Sequence, residues 1–79
     1  MPRFFRLRNY GVYVPHERGQ PHHLAHAHIK NHGRLIASVF LLTLTVYRQY
    51  EALPDDLMEL LREAQPEMLA LWGKLNDDE

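Results

Sequence analysis

The chain has 79 residues and no cysteine, enough for one domain that buries roughly 60% of its unfolded surface, with neither a disulfide nor a thiolate zinc site to stabilise it. Packing, histidine–metal binding and self-association remain as sources of stability. The net charge of −1 conceals an uneven distribution: residues 1–48 carry seven Lys/Arg against the single acid Glu17, and residues 49–79 carry two against nine acids. Such halves attract one another, associate head to tail, or face different partners.

Phe4 to Arg8 mixes aromatic and basic residues and reads as a short edge strand, with Phe5 and Leu7 inward and arginines in water. Basic residues on an edge also discourage unwanted strand pairing. Asn9-Tyr10-Gly11 is expected to turn or bulge, with Gly11 supplying unusual backbone angles. Gly11 to Pro15 alternates as a strand that Pro15 ends, and residues 17–21 form a loop. Leu24 to Lys30 has the period of a strand, and Asn31-His32-Gly33 signals a tight turn into an antiparallel neighbour. The Val-, Leu- and Thr-rich stretch Arg34–Tyr50 is too long for one strand of ~5–6 residues. It is split into strands near 34–41 and 43–50, with one bulged strand as the alternative.

The last third is helical. Leu57, Leu60, Leu61 and Ala64 follow one amphipathic stripe, and Met68, Leu71, Trp72 and Leu75 repeat its spacing. Pro54 opens the first helix, beside Asp55 and Asp56, which suit its positive end. Pro66 fits the start of a second helix better than the interior of one. The expected fold class is α+β: a small antiparallel sheet of three to five strands (residues 4–50) covered on one face by helices over 54–65 and 66–76. Met68, Trp72 and Leu75 are expected in the core, and residues 77–79 form a solvated tail.

The longest mostly apolar run, Leu35 to Tyr47, is 13 residues, short of the ~20 a membrane helix needs. No hydrophobic segment follows Met1-Pro2-Arg3, so no secretory signal is read there. The expected location is the cytoplasm, without membrane association.

All six histidines lie between His16 and His32. On a strand His26 and His28 point to one face, with Ala25, Ala27 and Ile29 on the other. The histidine face is then either open to solvent or lines a cleft, away from the helical layer. Three chemistries fit the pair. Metal binding would draw on His26 and His28 with His22 or His23, or with His16 or Glu17, since imidazole suits divalent transition metals. Acid–base cleavage of RNA would use His26 and His28, with Arg8, Arg18, Lys30 or Arg34 on the phosphate. In the third, structural reading the rings hydrogen-bond loop backbone and fix the turn. The run Arg3 to Tyr10 also interleaves cations with aromatics, as single-stranded RNA binders do. Ser38, the only serine, lies within the apolar run and marks no nucleophile motif, and there is no phosphate-cradling glycine loop.

Tyr10-Gly11-Val12-Tyr13-Val14, Pro21-His22-His23-Leu24-Ala25-His26-Ala27-His28-Ile29, Leu53-Pro54 and Glu67-Met68-Leu69-Ala70-Leu71-Trp72 together resemble the small bacterial domain-of-unknown-function family 4160. The His26-Ala27-His28 strand is the most specific piece. Leu24-Ala25 departs from that family's usual Pro-Pro, Ala27 stands where a bulkier residue is common, and the acidic-Gly turn is missing from 39–45. The resemblance implies a compact sheet with two C-terminal helices, and a second small protein encoded nearby, in an arrangement similar to toxin–antitoxin pairs. It brings no catalytic residues. The leading functional expectation is a binding module of such a two-protein system. A small ribonuclease and a histidine metal-binding protein are the alternatives, and RNA and a second copy of the chain are further candidate partners.

Overall fold

A computed structural model of the chain describes residues 3–15 and 24–76. Among them are five strands and one helix: β1 (Arg3–Leu7), β2 (Tyr10–Tyr13), β3 (His26–Asn31), β4 (Arg34–Phe40), β5 (Val46–Tyr47) and α1 (Asp55–Asn76). The strands form one antiparallel sheet in sequential order. The α+β class and the sheet agree with the sequence reading.

Two helices are not found; α1 runs through Pro66 without interruption. The reason is phase. Leu57, Leu61, Ala64, Met68, Leu71 and Leu75 are spaced four, three, four, three and four apart, so both predicted segments lie on one continuous stripe. Pro66 is exposed, so the carbonyl it deprives of a partner lies on the side of the helix open to water. Leu57, Leu61 and Met68 are fully buried. The Pro54 carbonyl accepts from the Met58 N–H (3.2 Å), so Pro54 caps α1 rather than lying within it, and Asp55 and Asp56 occupy the first turn.

The sheet has two chemically different faces. Val12, Ala27, Ile29, Ala37 and Val39 are partners across β2, β3 and β4 and are fully buried with the helix stripe. Phe5, opposite Val12, and Leu7 pack against the same cluster. The alternate residues form the other face. Arg6 lies opposite Gly11 and Gly11 opposite Lys30; Tyr13 and Ser38 flank His28; Phe40 pairs with His26. On that face the Phe40 and Tyr47 rings stack at 4.2 Å. Ile36 is an extra residue in the β3–β4 ladder, and its carbonyl accepts from the Tyr50 N–H at 2.7 Å.

The turns only partly follow their sequence signals. His32 and Gly33 both have positive φ (53° and 81°), the pattern of a two-residue I′ hairpin turn, where Asn31-His32-Gly33 predicts one. The first hairpin instead turns at Arg8 and Asn9, with Arg8 at φ 54°. Gly11 stands inside β2, and its function is to make room. A Cβ there would lie 2.8 Å from Cε1 of Tyr13. The stretch 34–50 is two strands joined by a turn at 41–45, where Leu44 takes the left-handed conformation (φ 57°). The Leu44 N–H reaches the Phe40 carbonyl (2.7 Å) and the Phe40 N–H reaches the Thr45 carbonyl (2.9 Å). Gln65 of α1 donates to the carbonyls of Leu41 (2.6 Å) and Leu42 (3.0 Å), which satisfies turn acceptors that the short hairpin leaves over.

Candidate functional site

The imidazoles of His26 and His28 have centroids 5.1 Å apart, consistent with the single side that a strand gives residues two apart. Their surroundings differ from the open face or free cleft of the sequence reading. His26 is 5% exposed, and His28 is half-buried. The His26 Nδ1–H donates to the Leu24 carbonyl at 2.8 Å; a carbonyl only accepts, so Nδ1 carries the proton. Trp72, from the end of α1, brings its ring centroid to 4.9 Å from that of His26. The pair is therefore not separated from the helical layer, because α1 extends far enough to place an indole against the first residue of β3. Trp72 is itself half-buried and so belongs to this junction as much as to the core.

Of the proposed phosphate-binding residues, two are engaged by carboxylates. Arg8 forms a two-point bond with Asp56 (2.8 and 3.3 Å) that joins the β1–β2 turn to the start of α1. Through that hydrogen bond, and its charge, the guanidinium holds the Asp56 carboxyl below the ordinary carboxylate range, and Asp56 in turn raises Arg8. Arg34 approaches Glu51 at 3.5 Å, and the Asn31 side-chain amide donates to the same carboxylate (3.3 Å). Arg18, with His16, Glu17, His22 and His23, lies outside the described residues. Among the described residues no group of three His, Cys, Asp or Glu side chains converges as a metal site would require.

Lys30 differs from Arg8 and Arg34. Its Nζ lies 5.0 Å from the centroid of the Tyr13 ring, in cation–π range. Lys30, Tyr13, Arg6, Asn9, Gly11, His32 and Gly33 line a depression of about 260 Å³ on the sheet face opposite the core. Among these, Arg6 belongs to the basic–aromatic run noted in the sequence. What the sequence conceals is the register that sets Arg6 and Lys30 on either side of a residue without a side chain.

No protein-family model matches the chain, and neither a curated protein nor a solved structure does.

Proposed function

We propose that this chain is a cytoplasmic binding module, one component of a bacterial two-protein system of the toxin–antitoxin kind. Its occupant is a second small protein that seats on the sheet face opposite α1. One observation carries the reading: among the described residues one helix covers one face of the sheet and reaches the other only at His26, through Trp72, while that other face bears the stacked Phe40 and Tyr47 pair. Aromatic residues are enriched in protein contact surfaces. His26 suits this module in a structural role, with its Nδ1 proton committed to a backbone carbonyl and its ring against Trp72. The resemblance to family 4160 supplies the two-protein arrangement. Co-expression with the product of the adjacent gene should give a stable complex that copurifies, weakened by Tyr47→Ala. A chain that elutes alone, with the adjacent product folded and present, refutes the reading.

A ribonuclease is the second reading, favoured by the 5.1 Å spacing of the two imidazoles and by Lys30 two residues further along the same face. Purified protein would then degrade RNA, and His28→Ala would abolish cleavage without altering the circular dichroism spectrum. Loss of folding and cleavage together would assign the rings to structure.

A further inference from the structure

The depression formed by Arg6, Tyr13, Lys30 and His32 lies at the hairpin-turn end of the sheet, and its construction is specific. Arg6, Gly11 and Lys30 are partners in one row across β1, β2 and β3. Strand spacing puts the outer two backbones roughly 10 Å apart. The middle position has no side chain, and the Tyr13 ring lies over it, within 2.8 to 3.2 Å of where a Cβ would be. The result is an aromatic floor flanked by two cations, each long enough to reach inward. Asn9 and His32, drawn together by a hydrogen bond from the His32 N–H to the Asn9 carbonyl (3.1 Å), complete the rim with further polar groups.

Among the described residues no carboxylate lines this depression. Among the described residues the carboxylates near basic groups lie elsewhere, Asp56 on Arg8 and Glu51 on Arg34. The Arg6 Nε donates to the Arg8 carbonyl (2.8 Å), which holds the guanidinium stem without neutralising it. Two cations facing a small concavity match a phosphate, whose oxygens they neutralise, and the cation–π contact of Lys30 with Tyr13 (5.0 Å) fixes one of them at the rim.

We propose that this depression binds a phosphate group, with Arg6 and Lys30 as its charge partners and the Tyr13 ring holding the Lys30 ammonium in place. This inference does not depend on the two-protein reading or on any catalysis by His26 and His28. The phosphate can belong to a free nucleotide or to single-stranded RNA, and the two sources are distinguished by titration.

The test is a ¹⁵N–¹H NMR titration of the full chain with three probes: uridine 5′-monophosphate, an oligouridylate of about eight residues, and a polyglutamate peptide of equal charge. The amides of Gly11, Tyr13, Lys30, His32 and Gly33 should shift and saturate with at least one of the first two. Tighter binding of the oligomer, with an affinity that falls with salt as two phosphate contacts require (a log–log slope of about −1.4), identifies RNA; tighter binding of the monophosphate identifies a free nucleotide. Lys30→Ala and Arg6→Ala should each weaken binding about tenfold, the size of one exposed charge-assisted contact. Lys74→Ala, which removes the same charge from the last turn of α1, should leave affinity unchanged. Three results overturn the proposal: no saturable shift at these amides with either phosphate probe, equal shifts with polyglutamate, or equal weakening by Lys74→Ala. Gly33 and Gly11 resonances that keep their dispersion in each variant confirm that the sheet is intact.

Discussion

Replacement of Pro66 by alanine should make this protein more stable. Pro66 lies in the interior of α1, where it can donate no hydrogen bond to the Arg62 carbonyl and its ring presses on that group. Proline costs about 3 kcal/mol relative to alanine at such a position. Alanine also frees the unfolded chain, which takes back about 0.4–1 kcal/mol. The expected net gain is about 2 kcal/mol. At roughly 4–8 °C per kcal/mol for a domain of this size, the midpoint should rise by about 10 °C. Because Pro66 is exposed, no buried contact is lost to offset the gain. Urea unfolding followed both by far-ultraviolet circular dichroism and by the fluorescence of Trp72, the only tryptophan, measures the change and tests whether the transitions coincide. An unchanged or lowered stability would refute the reasoning. It would mean that Pro66 opens a second helix, where its fixed φ is an advantage.

Three further outcomes are expected. Gly11→Ala should cost about 1–2 kcal/mol by overpacking against Tyr13; in a Tyr13→Ala background that cost should disappear, and a thermodynamic cycle that finds the two changes additive would reject the contact. Gly33→Ala should cost about 1 kcal/mol from its backbone alone, since φ is +81° and nothing lies within 4 Å of a Cβ there; Gly33→Asn should recover part of it in the same urea assay. Arg8→Ala should lower stability only where Asp56 is ionised. The Asp56 carboxyl lies below its ordinary value in the folded state, so the ion pair contributes above the unfolded carboxylate pKa of about 4 and is lost as pH falls through the folded value. The difference in urea midpoint between the two proteins should therefore be present at pH 7 and vanish in strong acid, and at neutral pH it should shrink in 1 M salt because the pair is exposed. A difference that persists in acid would assign the effect to the turn backbone instead.

What the sequence made legible follows from how local each signal is. The helix stripe is local, and it also contained the correction: Ala64 to Met68 is a step of four, which keeps both halves in phase across Pro66, and phase outweighed the proline. The turn at His32-Gly33 was readable because glycine takes one of its left-handed positions. At Arg8 and Leu44 side-chain-bearing residues take that conformation (φ 54° and 57°), so no local sign marks them. The turn at 41–45 is instead secured by Gln65, more than twenty residues away. At the candidate site, the common side of His26 and His28 came from strand period alone. The approach of Trp72 could not, because it depends on where the far end of α1 falls. The pairing of Arg8 with Asp56 spans 48 residues. The opposition of Arg6 and Lys30 requires the register of three strands, including an irregularity between Arg3 and Phe5.

The two bonds from Gln65 to the Leu41 and Leu42 carbonyls also bear on the order in which the molecule assembles. A hairpin without a glycine in its turn, ending in a strand of two residues, has little local drive to close. Its missing support comes from a side chain synthesised later than both of its strands. The buried face of β2–β4 takes its fully buried apolar cover from Leu57, Leu61 and Met68 of α1, so docking of the helix is expected to complete the sheet and close the last hairpin together.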